Sequence, residues 1–217
     1  MHAIGDEASE IGLTALEYAI AANGDIPRRH RMEHLESITR DNVERLARLG
    51  IIASMQPVHA DPAIQENWQA MLGDYRVNRA YPPWPEFTEA GAVLALGSDA
   101  PTAPHPPLPN MFIATTRRSA IDPSLAPNLP KYALPPLADA LAHATRDAAY
   151  SCRWEDVTGQ LVRGKAADFV VLKQDPFTEG VDSLLTTEIA MTVVAGSVRY
   201  DAAGAKSTEA RNTESDS

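Results

Sequence analysis

Between Glu7 and Ser98 the chain alternates helix-patterned and strand-patterned segments joined by short connections, and this alternation constrains the fold more than any other feature. Residues Glu7 to Asn23 carry Ile11, Leu13, Leu16 and Ile20 at helical spacing, and Gly24 stands where a helix should end. Arg28 to Leu35 reads as a short strand. Thr39 is placed to cap a second helix that runs to Leu49, and Gly50 closes it. Ile51 to Gln56 is a second strand, stopped by Pro57 because proline has no N–H to give a sheet ladder. Pro85 to Ala90 forms a short helix. Val93 to Ser98 follows as an apolar strand that turns through Gly97-Ser98-Asp99 into Pro101. Strands separated by helices pair in parallel, so the reading is an α/β fold and an all-β fold is excluded.

Composition bounds the function. The 217 residues are 44% hydrophobic and 22% charged, enough apolar content for a sizeable core. A net charge of -10 with no Lys/Arg cluster speaks against a nucleic-acid surface, which needs cations to neutralise phosphates. Small molecules or proteins are the expected partners. No apolar run approaches the roughly 20 residues that span a bilayer, so no membrane role is expected. The single Cys152 precludes an internal disulfide framework and fits a reducing compartment, with the cytoplasm as the expected location.

Beyond the third strand the character changes. Thirteen of the 17 prolines lie between Pro82 and Pro136, so a long stiff loop is expected directly after Asp99, broken by a helix around Asn110 to Arg118. Leu137 to Tyr150 returns to a helix. Gly159 to Leu172 reads as a strand, a glycine turn and a second strand, and Ile189 to Tyr200 repeats the hairpin layout around Gly196. The expected domains are therefore residues 1–156, a small β module over 157–200, and a tail over 201–217. That tail is rich in Ser, Thr, Glu and Ala and is expected to be disordered.

The chemistry gathers at strand ends. His2 stands just before the first helix, His34 ends the first strand and Asp99 ends the third, 32 and 65 residues apart, or about one and two βα units. In α/β folds the carboxyl ends of strands face one crevice, so the three should converge. Two neutral imidazoles and a carboxylate are what a catalytic divalent ion such as Zn²⁺ requires. His59 and Gln56 lie at the end of the second strand and are candidates for contact with substrate. Trp84, with Trp68 and Tyr81, is a candidate pocket wall for an apolar group. Glu33, His105 and His143 read as structural or solvated. Ser98 lacks a Gly-x-Ser-x-Gly elbow, which argues against a serine hydrolase.

His2-Ala3-Ile4-Gly5-Asp6, Arg31-Met32-Glu33-His34, Ser54-Met55-Gln56-Pro57, Gly97-Ser98-Asp99-Ala100-Pro101 and the run from Gly159 to Leu172 resemble, in this order, the second half of the amidohydrolase superfamily. The resemblance is to its amidohydrolase-3, YtcJ-like branch, which includes N-substituted formamide deformylases. It implies a metal-dependent hydrolase of C–N bonds on a (β/α)₈ TIM barrel with a small β-sandwich beside it. His2 and His34 would match metal ligands on strands five and six. Asp99 would match the strand-eight aspartate that binds metal and shuttles the proton of the attacking water. The implied cofactor is a divalent metal, with Zn²⁺ the first choice, and the implied substrate is a small amide.

The family's His-x-His pair on strand one and lysine on strand four have no counterpart here. The chain is thus expected to hold about the last four βα units and part of the sandwich. Two readings follow: a C–N hydrolase, or a non-catalytic remnant that binds a partner supplying the N-terminal half. Open sheet edges also predict self-association.

Overall fold

The computed structural model describes residues 1–204 apart from Asp25, Glu66 and Tyr81. Tyr81 and most of the expected tail, 205–217, therefore lie outside the described residues. Four strands, β1 (His2–Ala3), β2 (Arg31–His34), β3 (Ile52–Met55) and β4 (Leu94–Leu96), form one sheet in the order β1-β2-β3-β4, every neighbour parallel. Helices α1 (Asp6–Asn23) and α2 (Arg40–Arg48) connect the first three strands. The connection to β4 carries α3 (Trp68–Val77) and α4 (Trp84–Glu89). The α/β reading holds.

Local sequence explains these elements. Thr39 sits in extended backbone and its hydroxyl accepts the Asn42 amide, so α2 starts where its first orphan N–H groups find a side-chain acceptor. The buried side of α2 is Val43 and Leu46. Together with Leu13 of α1, Met32, Ala53, Met55 and Leu94 of the strands, and Phe87 of α4, they make one continuous core, each large side chain worth about 1.5–3 kcal/mol on burial. Arg45 fastens α2 to α1, donating to Glu10 at 2.8 Å and Glu17 at 2.5 Å.

Past β4, α5 (Pro107–Thr116) opens with a proline inside its first turn, where a missing N–H goes unneeded. It starts three residues earlier than the sequence pattern suggests. The helix expected over 137–150 is two helices, α6 (Leu137–Ala144) and α7 (Arg146–Ser151), broken at Thr145 by a non-helical backbone of φ −122° and ψ −78°. Both pack against β4, so Leu94, Ala95 and Leu96 are buried.

After α7 the chain passes so close that a Cβ at Gly159 would sit 2.5 Å from the Ala149 Cβ. With φ +87° there, glycine is required. The first strand expected after Gly159 does not form. Leu161 and Val162 are exposed and join neither sheet. The second sheet consists of β5 (Phe169–Leu172), β6 (Ile189–Val194) and β7 (Ser197–Asp201), antiparallel in that order, with the hairpin around Gly196 as expected. Among the described residues no helix is long and apolar enough to cross a membrane.

Candidate metal centre at the strand ends

His34, His59 and Asp99 sit at or just beyond the carboxyl end of a parallel strand, and His2 opens the two-residue strand β1. Period-2 alternation on β2 would send His34 to the same side as Met32, which packs beside α1 at Gly12. Instead His34 and Leu35 adopt left-handed backbone, φ 80° and 56°, and the His34 ring meets His2. Asp99 is left-handed as well, at φ 59°. Non-glycine residues in this region cost of order 1–3 kcal/mol and persist where the surroundings hold them, as functional sites do.

The histidines are wired by what lies behind them. His34 Nδ1 lies 3.0 Å from Gln56 Oε1 in a buried contact. An amide oxygen can only accept, so Nδ1 carries the proton and Nε2 presents a lone pair. That Nε2 is 2.7 Å from His2 Nδ1. His59 lies in the 3₁₀ turn Pro57–Ala60, and its Nδ1 is 2.9 Å from Glu36 Oε1. A carboxylate also only accepts, so His59 Nδ1 carries a proton, and its Nε2 lies 3.9 Å from Asp99 Oδ2. The His34 and His59 rings stack at 5.7 Å and 20°.

Of the predicted site residues, His2, His34, His59 and Asp99 therefore gather at one rim. Gln56 is a correction: it is buried and bonded to His34, so it orients a ring and does not line a substrate pocket. Trp84 is a second correction. It is fully buried, with the Arg117 guanidinium 4.6 Å from its ring centroid, because an aromatic face in a core can be covered by a cation that the sequence places far away. Trp68 stands at the start of α3. Glu33 pairs with Arg31 at 2.5 Å, and His143 with Asp147 at 2.7 Å, as structural residues. His105 is exposed beside a small cavity of about 140 Å³ under Leu96 and Met111.

Sequence reasoning missed Glu36. It is a buried carboxylate that, with His34 and His59, forms a three-residue group whose donor atoms lie within 4.8 Å of one another. The available signal was a Glu two residues past a candidate ligand, opposite a histidine at the end of the next strand. The donors fit a divalent ion: imidazoles and a carboxylate face one rim, and an acceptor behind each of His34 and His59 holds a proton on its Nδ1.

The turn that carries His59 is fixed from several sides. Val58 N–H donates to Asn110 Oδ1 at 2.8 Å, and Gln65 Nε2 donates to the His59 carbonyl at 2.8 Å. Asp61, fully buried, accepts from Ser119 Oγ at 2.5 Å, from Ala120 N at 2.8 Å and from Ala63 N at 2.9 Å.

A model of the Amidohydrolase family, Amidohydro_3, matches residues 1–200. The chain belongs to this family. The amidohydrolase chain is 33% identical over 205 residues to Protein LONG AFTER FAR-RED 3 of Arabidopsis thaliana, covering 92% of this chain and 33% of that protein. It is 32% identical over 204 residues to the putative amidohydrolase YtcJ of Bacillus subtilis, covering 93% and 37%. To the N-substituted formamide deformylase of Arthrobacter pascens it is 26% identical over 208 residues, covering 94% and 36%. Among solved structures, an uncharacterized metal-dependent hydrolase from Pyrococcus horikoshii matches with a TM-score of 0.67 and 26% identity, over 83% of this chain and 35% of that one. The amidohydrolase chain thus spans about a third of the length of these relatives.

Proposed function

We propose that this chain is part of a metal-dependent hydrolase that cleaves C–N bonds of small, non-peptide amide or formamide-type substrates. The observation that carries the reading is the 2.7 Å approach of His2 Nδ1 to His34 Nε2, with Gln56 holding the His34 tautomer from behind. The parallel sheet and its helices, residues 1–156, would be the last four βα units of a (β/α)₈ barrel, and residues 157–200 part of a β-sandwich. Strand order, parallel register and site residues at strand carboxyl ends support this. Membership of the amidohydrolase family and likeness to a metal-dependent hydrolase support the reaction class.

His2, His34 and Asp99 would hold the ion. A divalent ion, Zn²⁺ by its taste for imidazole, supplies Lewis acidity toward water and a carbonyl oxygen when bound. Asp99, at a partly open strand end, would accept the proton of the attacking water and deliver it to the leaving nitrogen.

A second reading follows from length. Because about two thirds of each relative's length lies outside the match, a separate polypeptide resembling that remainder would act as a partner, completing barrel and sandwich. Metal analysis of the purified full chain tests the main reading. Zinc near one equivalent that falls sharply in His34→Ala and in Asp99→Ala is expected. Substoichiometric zinc, unchanged by either substitution, would sink it.

A further inference from the structure

A groove of about 310 Å³ opens beside the amino end of β2, lined by Arg28, Arg29, His30 and Arg153 together with the apolar Ile26 and Pro27. Three guanidiniums around one groove are unexpected on a chain of net charge -10, since like charges repel unless something neutralises them. Arg29 is answered from within the chain. Glu155 pairs with it, the Tyr150 carbonyl accepts from its Nη1 at 2.9 Å, and its guanidinium lies 4.0 Å from the Tyr150 ring centroid. Arg28 gives one N–H to the Gly24 carbonyl past the end of α1 and forms no ion pair among the described residues. The side chains of Arg153 and His30 have no hydrogen bond or ion pair among the described residues. Two guanidiniums thus line the groove without a counter-charge.

Arg153 is also placed against its backbone preference. It follows α7 at φ 61°, its amide bonded to the Tyr150 carbonyl and the next amide, Trp154, bonded to the Ala149 carbonyl. Glycine is the favoured residue at that point of a closing helix turn, so an arginine bears strain there and brings its charge to the edge of the groove. The groove is separate from the metal-centre rim: His30 stands ahead of β2 and His34 at its end, about 13 Å apart at about 3.3 Å of rise per residue. One guanidinium fork answers a carboxylate. Two forks and an imidazole, all N–H donors, match the several acceptor oxygens and the double charge of a phosphate group.

We infer that this groove is an anion site that binds a phosphate group, free or carried by a small organic molecule, through Arg28 and Arg153. Arg29, fixed by Glu155 and Tyr150, is its wall. The inference goes beyond the metal-hydrolase reading and does not depend on it.

The test titrates the chelator-treated full chain with inorganic phosphate by calorimetry at constant ionic strength, and then with phenyl phosphate. Saturable one-to-one binding is expected for both. Tighter binding of phenyl phosphate assigns the groove to an organic phosphate, with Ile26 and Pro27 against its apolar body, and equal binding assigns it to the free ion. Arg153→Gln is expected to weaken phosphate binding about 10-fold, and Arg28→Gln by a similar factor, as loss of a charge-assisted pair does. Arg153→Lys keeps the charge without the fork and should fall between Arg153→Gln and the unsubstituted chain. Because Arg28 also closes the end of α1, Arg153→Gln decides the matter where Arg28→Gln fails to fold by circular dichroism. His34→Ala is expected to bind phosphate as the unsubstituted chain does; a loss there would move the anion to the rim and overturn the inference. No saturable binding, unchanged binding in folded Arg153→Gln, or displacement by equimolar chloride would overturn it as well.

Discussion

The rim of the parallel sheet and the three-stranded antiparallel sheet are built from different kinds of residue and are held in opposite ways. At the rim, polar groups are buried and matched one to one: Asp61 with Ser119 and Ala120, Asn110 with Val58, Gln56 with His34, Glu36 with His59. In the antiparallel sheet each ladder carries a register shift, and Val170, Val198 and Tyr200 stand 53%, 56% and 45% exposed. A matched polar network fixes one geometry because any shift strands a buried donor. An apolar face without a cover fixes little and invites contact with another chain. A groove of about 920 Å³ between this sheet and helices α6 and α7 continues that open surface.

The contrast breaks first at Asp61. Removing its carboxylate in Asp61→Ala leaves the buried Ser119 hydroxyl and the partly buried amides of Ala120 and Ala63 without their acceptor. A loss of about 3 kcal/mol in urea unfolding is expected, the upper range for hydrogen bonds to a charged group. A loss under about 1 kcal/mol would mean that the rim is no more tightly fixed than the open sheet.

How much of this was readable in the sequence follows the range of the forces involved. The Thr39 cap, the stop at Pro57 and the hairpin at Gly196 are local, settled within a few residues, and the structure has them where the sequence does. The positions of His34 and Asp99 at or past strand ends were legible because βα units place their ends at regular chain intervals. The roles of Gln56 and Glu36 were not, because they depend on left-handed backbone at His34 and Leu35 that turns side chains off strand alternation. Trp84 misled for a similar reason, since its cover is Arg117 from a distant loop. The missing strand at Leu161 and Val162 shows the converse: its pattern is correct for a strand, but a pattern alone does not place a segment in a ladder.

The open sheet is sharpened by charge. Val170, Thr192 and Tyr200 stand in one register row across β5, β6 and β7. The unsubstituted chain is expected to sediment as a concentration-dependent mixture of species. The double variant Val170→Lys, Tyr200→Lys is expected to shift it toward monomer, while unfolding free energy changes by no more than about 0.5 kcal/mol at these exposed positions. A sharp monomer peak before substitution would show that the face needs no cover.

The smallest effect joins the two regions. Glu155, on the segment that leaves α7 for the antiparallel sheet, forms an ion pair with Arg29 just ahead of β2, and that guanidinium holds its carboxyl down to about 2 from an ordinary 4.5. A carboxyl whose folded value lies below its unfolded one stabilises the fold above the unfolded value, here above about pH 4.5. The contribution fades as pH falls toward 2. The exposed setting and salt screening keep it small. Thermal melts of Glu155→Gln should therefore lie slightly below those of the unsubstituted chain at neutral pH, and the two should converge between pH 4.5 and about 2. A constant offset across that window would mean that Glu155 acts through packing alone, and that nothing ionic ties this segment to the parallel sheet.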